Sequence, residues 1–196
     1  MINRKTSTLL VFVVPPCHFE SESKACTTTL RRLDKAWRLA ISFPLSQVRF
    51  VLLGDVPWRQ GSKTIAKLME EELLRRRVPK SQILIASGGA GTFAEAQSGV
   101  RTIRELIPGD KDVIVVSSRW WLWSGKPIWR YLGSDLNLRF YTVHHTGGSR
   151  TKLFYFFYGL LIRAAFACGA GPALGRWLAR IQSPRLKNGF KKNACR

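Results

Sequence analysis

The last third of this chain has no acidic residue. All 12 Asp and Glu lie at or before Asp135, whereas residues 136–196 carry 11 Lys and Arg. Residues 1–135 hold 21 basic and 12 acidic groups, so they account for +9 of the total charge of +20. This asymmetry predicts that the C-terminal part meets a polyanion, either nucleic acid or an anionic membrane surface. A basic bias shared by the whole proteome is the alternative.

Several catalytic and binding signatures are also absent. There is no G-x-S-x-G hydrolase motif, no G-x-x-x-x-G-K-[ST] phosphate loop and no nucleic-acid-reading motif. A nucleic-acid partner is therefore supported by charge alone. The cysteines form no C-x-x-C pair, and neither they nor the histidines show zinc-site spacing, so we expect ordinary thiols in a reducing compartment and no metal. These residues are Cys17, Cys26, Cys168, Cys195, His18, His144 and His145.

Strand and helix patterns alternate along the first 143 residues. Apolar runs typical of buried strands occur at residues 9–14, 48–53, 83–86, 112–116 and 138–143. Helical patterns follow the first four, at 29–41, 64–77, 92–106 and from Trp120, and residues 17–28 are predicted to be a polar loop. This alternation predicts an α/β, Rossmann-like three-layer fold whose parallel, doubly wound sheet has about five strands.

Composition divides the chain into three parts. We predict a Rossmann-like domain over residues 1–149, an apolar and basic helical extension over 150–182, and a flexible basic tail over 183–196. Within the extension, residues 153–168 are apolar apart from Arg163 and fall short of the ~20 residues of a membrane span. We expect a helix that packs on the sheet. An interfacial element at a membrane surface is the alternative, because aromatic and cationic residues alternate there.

A glycine-rich stretch, Ser87 to Gly91, separates the third strand from the third helix. Backbone N–H groups at a helix N-terminus suit a phosphate or carboxylate, and Thr92 with Glu95 is predicted to form a capping box there. A plain turn that needs glycine for space is the alternative. The stretch also fits the fingerprint G-x-G-x-x-A, with Ser117-Ser118-Arg119 as acceptor of an NADP 2′-phosphate, although that fingerprint usually opens the first βαβ unit.

The predicted ligand site follows from the sheet. Ligands of open α/β sheets bind beyond the carboxyl ends of the strands, which predicts loops at 15–17, 54–55, 87–92 and 117–121 as the site. Asp55 would hold a hydroxyl or act as a base, with an exposed turn aspartate as the alternative. No catalytic residue is assigned. The predicted ligand-binding residues are Gly54, Asp55, Ser87, Gly88, Gly89, Gly91, Thr92, Glu95, Ser117, Ser118, Arg119 and Trp121.

Four segments together resemble the SanA/ElyC/YdcF family, a bacterial envelope-related domain of largely unknown function. Arg32-Leu-Asp-Lys-Ala-Trp-Arg-Leu39 is similar to the R-L-x-x-A-x-x-L pattern of its first helix. The helix ending at Val78-Pro79 resembles one that ends in G-V-P, and Thr92-Phe-Ala-Glu-Ala96 resembles the T-x-E-N-A segment. Val113 to Ser118 is similar to the family's strand ending in T-S.

The chain also departs from that family. Leu53-Gly54-Asp55 stands where the family has S-G-G, the E-N pair falls on Ala94 and Glu95, and the family's histidine falls on Trp121 and its arginine near Ser124. The resemblance implies the fold, but no activity that needs that histidine and arginine. Whether the protein is an enzyme stays open.

The resemblance is to the YdcF type, which lacks an N-terminal membrane helix. It implies a protein that binds a small anionic or nucleotide-like ligand, either like S-adenosylmethionine or a phosphorylated envelope precursor. The alternatives are a non-catalytic module that meets an anionic membrane through residues 150–196, and an NADP-dependent oxidoreductase. We expect a cytoplasmic location, with peripheral attachment at the inner membrane as the alternative.

Overall fold

A parallel five-stranded sheet forms the centre of the computed structural model, which describes residues 8–59, 61–89, 91–144 and 149–182. The strands in chain order are β1 (Leu9–Val14), β2 (Phe19–Ser21), β3 (Lys24–Ala25), β4 (Val48–Leu52), β5 (Ile83–Ile85), β6 (Lys111–Ser118) and β7 (Asn137–Val143). β2 and β3 form a separate antiparallel hairpin, and the other five lie in the order β5-β4-β1-β6-β7. The predicted tail, residues 183–196, lies outside the described residues.

The chain order reverses between β1 and β6. β4 and β5 extend the sheet on one side of β1, whereas β6 and β7 extend it on the other. β1 is the apolar run Leu-Leu-Val-Phe-Val-Val, and its last four residues are buried because it has a neighbour on each side and helices on both faces. In open α/β sheets, ligands bind outside the carboxyl ends of the strands at such a reversal.

Helices cover both faces of the sheet. They are α1 (Thr27–Ala40), α2 (Ile65–Arg75), α3 (Thr92–Leu106), α4 (Arg119–Leu132), α5 (Ser149–Ala167) and α6 (Gly171–Gln182). α1 and α2 pack on one face around Phe12 and Phe50, and α3 and α4 pack on the other around Val115 and Trp129. The predicted Rossmann-like, three-layer α/β fold with a parallel sheet of five strands is confirmed.

The two C-terminal helices pack on α3 and α4. Ile162 of α5 is fully buried in the same core cluster as Trp129. The helices approach closely at two glycines, because a Cβ on Gly159 would collide with the Trp123 ring and a Cβ on Gly175 would collide with the Phe93 ring. Within the described residues, no helix combines the length and the apolar character that a membrane span requires.

Candidate functional site

A fully buried arginine lies where the chain order of the sheet reverses. Arg32, on α1, has no exposed surface. Its Nη1 donates to the carbonyl oxygens of Pro15 (2.9 Å) and Pro16 (2.7 Å), and its Nη2 donates to Ser118 Oγ (2.9 Å). The guanidinium therefore connects the segment after β1 to the last residue of β6.

One polar atom at this point, the buried Arg32 Nε, has no hydrogen-bond partner among the residues that the structure describes. Buried polar groups are almost always paired, and an unmade hydrogen bond costs about 1–3 kcal/mol. The three partners of Arg32 are neutral, so its charge is buried without an ion pair in the part of the chain that the structure describes. The arrangement has the chemistry of an anion-binding centre.

Glu95 supplies the acidic group whose charge acts on this arginine. It lies in the first turn of α3 and is half-buried. Burial raises the pKa of Glu95 to about 7, and the positive charge of Arg32 opposes that rise. Near neutral pH, about half of the molecules therefore carry an uncharged Glu95. The net charge of the cluster changes with pH in this range.

Trp121 and Tyr158 complete the cluster. The Trp121 ring is buried, and its centroid lies 5.9 Å from Cζ of Arg32. Tyr158 comes from α5, and burial raises the pKa of its hydroxyl, although a hydrogen bond with the Thr92 side chain lowers it and the charge of Glu95 raises it further. α5 therefore contributes a polar group beside the first turn of α3.

The segment from Ser117 to Trp121 is not a loop. β6 runs through Ser118, and α4 begins at Arg119. Both serines are buried, Arg119 is exposed, and Trp121 lies inside α4. The prediction of a loop here was wrong. Ser117 and Ser118 are the last two residues of β6, and α4 begins at the next residue.

The glycine loop begins the helix differently from the prediction. Gly88, Gly89 and Gly91 have φ values of 83°, 104° and 91°, which suit glycine alone. Gly91 is the N-cap and no side chain caps the helix, so the predicted capping box of Thr92 and Glu95 was wrong. The turn at Gly91 starts the helix one residue early, which places Thr92 in its first turn.

The glycine loop lines a cavity of its own, away from Ser117 and Trp121. An open cavity of ≈ 440 Å³ lies between this loop and the outer side of α3. Arg101 donates to the Ser87 carbonyl oxygen (3.2 Å), and Arg104 forms an ion pair with Asp135 (2.5 Å). The lining residues are Ser87, Gly88, Gly89, Ala94, Gln97, Ser98, Val100, Arg101, Arg104 and Leu132. Its two arginines both have partners already.

The predicted residues therefore form two groups. Thr92, Glu95, Ser118 and Trp121 gather around Arg32 and Tyr158, whereas Ser87, Gly88 and Gly89 line the second cavity. The buried side chain of Ser117 lies on the face of β6 opposite to that of Ser118, because successive strand residues alternate between faces. Gly54 is buried against the Pro16 ring, with half-buried Asp55 next to it in the chain.

The sequence interpretation missed Arg32 and Tyr158 as site residues. Arg32 belongs to the predicted helix 29–41, in which Arg31 and Lys35 are basic as well. Its spacing to Ala36 and Ala40, which are buried on the same face four and eight residues later, was the available signal. No sequence signal indicated Tyr158 as a site residue, because its position depends on how α5 packs against the domain.

No family model matches the chain, and no curated protein or solved structure shows significant similarity to it. The resemblance to the SanA/ElyC/YdcF family stays a prediction that rests on the four quoted segments. The geometry around Arg32 and the surface of the C-terminal helices are the observations that bear on function.

Proposed function

We propose that the protein binds a small anionic or nucleotide-like ligand at the carboxyl ends of β1 and β6, with Arg32 as the group that holds the anion. The supporting observation is the buried guanidinium, whose Nε has no partner among the described residues and whose three hydrogen-bond acceptors are neutral. A buried charge is costly unless it is paired. An anionic oxygen of a ligand would pair it.

The chemistry of the neighbours narrows the ligand class. A planar guanidinium prefers carboxylate or phosphate oxygens, and the Trp121 ring offers an apolar wall for a nucleobase or a prenyl chain. Glu95 can be neutral near pH 7, so it then opposes the arrival of an anion less. Ligands like S-adenosylmethionine and phosphorylated envelope precursors, which the SanA/ElyC/YdcF resemblance suggests, both carry such groups.

In this proposal, the ligand enters at the position of the Glu95 side chain. Arg32 and Ser118 have almost no exposed surface, whereas Glu95 is half-buried. A ligand that displaces the Glu95 side chain reaches the guanidinium without unfolding α1 or β6. Binding should therefore strengthen as the pH falls toward 6, where Glu95 is neutral and no longer competes for Arg32.

Titration calorimetry tests this proposal. S-adenosylmethionine, a short prenyl phosphate and NADPH are titrated into the wild type, Arg32→Lys and Arg31→Lys at pH 6 and pH 8. Arg31 is the matched control, because it is exposed on the same helix. We expect Arg32→Lys to weaken binding at least about tenfold, since lysine has no planar guanidinium whose Nη atoms keep their protein partners while Nε–H meets the anion. No heat with any ligand, or equal affinities of the two variants, refutes it.

We propose as a second candidate that the outer face of α5 and α6 docks on an anionic membrane surface. Eight large apolar side chains of these helices are 39% to 63% exposed: Leu153, Phe154, Phe156, Phe157, Leu160, Leu161, Trp177 and Ile181. So large an exposed apolar surface is typical of an interaction site. Lys152 and Arg176 lie on the same helices, and residues 136–196 contain no acid, which favours a bilayer with anionic headgroups over a neutral partner.

Vesicle co-sedimentation tests the second candidate with the full chain. Phosphatidylglycerol vesicles and phosphatidylcholine vesicles are compared for the wild type, the double variant Phe154→Ser/Phe157→Ser and the control Leu106→Ser. Leu106 is similarly exposed (59%) but lies on α3. We expect binding to the anionic vesicles alone, and its loss in the double variant alone. Equal sedimentation of all three proteins contradicts docking through this face, as does a dimer in solution that the double variant dissociates.

A further inference from the structure

The β2–β3 hairpin brings two cysteines and a histidine together. Cys17 and His18 follow β1, and Cys26 lies just after β3, where it is the N-cap of α1. The Cys26 N–H donates to the His18 carbonyl oxygen (3.1 Å), which closes the hairpin. Cys17 Sγ, a ring nitrogen of His18 and Cys26 Sγ all lie within 4.8 Å of one another. The spacing of these residues along the sequence did not predict this cluster.

These three side chains form the donor set of a zinc site. Thiolate and imidazole groups are the preferred ligands of Zn²⁺, with bond lengths of about 2.3 Å to sulfur and about 2.0 Å to nitrogen. Tetrahedral bonds of those lengths place the ligand atoms roughly 3.5–4 Å apart. His18 Nδ1 already lies 2.9 Å from Cys17 Sγ, so small side-chain rotations are enough to admit the ion.

The surroundings favour the charged thiolate that a metal requires. Cys26 is the N-cap of α1, where the positive end of the helix dipole favours a negative charge on its sulfur.

Thr29 holds the cluster from the other side. Its Oγ1 accepts a hydrogen bond from the Cys17 N–H (2.9 Å) and lies 3.4 Å from Cys26 Sγ. Groups that orient metal ligands in this way are typical of built metal sites.

We propose that Cys17, His18 and Cys26 bind one Zn²⁺ ion through Sγ, Nδ1 and Sγ, with the fourth position of the tetrahedron left for water. Three protein ligands and one open position are the pattern of zinc sites that can bind a further ligand. Cys17 and His18 are half-buried, so the open position is accessible to solvent through the hairpin side. The observations that support this metal site are separate from those that support the ligand site around Arg32.

Cobalt substitution tests the site with the full chain under a thiol-free reductant. Co²⁺ is titrated into the wild type, Cys26→Ser, His18→Gln and two matched controls, Cys168→Ser and His144→Gln, which change exposed residues away from the hairpin. We expect one equivalent of Co²⁺ to give a thiolate-to-cobalt charge-transfer band, which Zn²⁺ bleaches. Loss of one ligand should weaken binding by more than about 100-fold, since even a residue behind the ligands contributes 10–100-fold.

Different outcomes separate a metal site from a structural cluster. The controls should bind Co²⁺ like the wild type, and zinc should raise the thermal unfolding temperature of the wild type but not of Cys26→Ser. Because Cys26 is buried, His18→Gln provides the variant that keeps its fold, as circular dichroism will show. Absence of the band in folded wild type overturns the proposal. Equal Co²⁺ affinity in His18→Gln and His144→Gln, or a Cys17–Cys26 disulfide that survives the reductant, also overturns it.

Discussion

Replacement of Glu95 by glutamine should make the protein more stable at alkaline pH. Burial raises the pKa of this carboxyl from 4.5 to about 7, so the folded chain binds a proton that the unfolded chain releases. Stability from this group is therefore complete below about pH 4.5 and decreases as the pH rises through 7. At about 1.4 kcal/mol per unit, the full loss is up to about 3 kcal/mol. That is a large part of the 5–15 kcal/mol that stabilises an ordinary domain.

Urea unfolding between pH 4 and pH 8.5 measures this effect. The free energy of unfolding of Glu95→Gln minus that of the wild type should be near zero at pH 4 and should increase to about 2–3 kcal/mol above pH 8. Other titrating groups, Cys26 included, cancel in the difference because they are present in both proteins. Glu105→Gln is the matched control, since Glu105 is exposed on the same helix. Its difference should stay within about 0.5 kcal/mol.

Two results would refute the reasoning about Glu95. A difference that does not change with pH means that the carboxyl has the same pKa in the folded and unfolded chain. A variant that is less stable than the wild type at pH 8 means that the ionised carboxylate stabilises the fold, as it would in a true ion pair with Arg32. In that case Arg32 already has a counter-ion, and the anion proposed for it loses its main support.

Three further substitutions have expected magnitudes. Gly159→Leu should lower the stability by about 1–3 kcal/mol through its collision with the Trp123 ring, measured by urea unfolding, and an unchanged midpoint means that α5 does not pack there. Arg163→Met should cost about 1–2 kcal/mol in the same assay, because Arg163 stacks 4.0 Å over Trp123 and donates to its carbonyl oxygen. Arg104→Ala should lower the free energy of unfolding by less than about 1 kcal/mol, because its ion pair with Asp135 is exposed. A larger loss means that the pair belongs to a wider network of charges.

The strands of the sheet were predictable because each one is a continuous, mainly apolar run of residues. Residues 9–14 and 48–53 are apolar runs between breakers, and buried parallel strands need little more than that. Right-handed crossovers between parallel strands then predict helices on the faces of the sheet. The hairpin β2–β3 was missed because its five strand residues show no alternation of apolar and polar side chains. Its geometry depends on the packing of Phe19 and Ala25 against Ile65.

The site was only partly predictable because its members meet through tertiary packing. Glu95 and Ser118 were chosen for their places at the carboxyl ends of strands, and both lie near Arg32. The glycine loop was chosen on the same ground, but it follows β5 at the edge of the sheet and opens toward the outside of α3. The residue types of the loop are visible in the sequence. The side of α3 on which its cavity opens depends on the packing of α4, whose Leu132 lines the cavity.

Four consecutive residues after β1 connect the two proposed sites. Proline has a fixed φ and no N–H, so Pro15 and Pro16 offer two rigid carbonyl oxygens, and both accept from Arg32. The next two residues, Cys17 and His18, supply two of the three proposed zinc ligands. The Pro16 ring packs against Gly54, which leaves no room for a side chain there and prevents the segment from moving toward α2. A metal that tightens the hairpin therefore acts on the same rigid segment that orients the guanidinium. Variants of the Arg32 site and of the proposed zinc site should each be assayed for binding of the anionic ligand and of the metal ion.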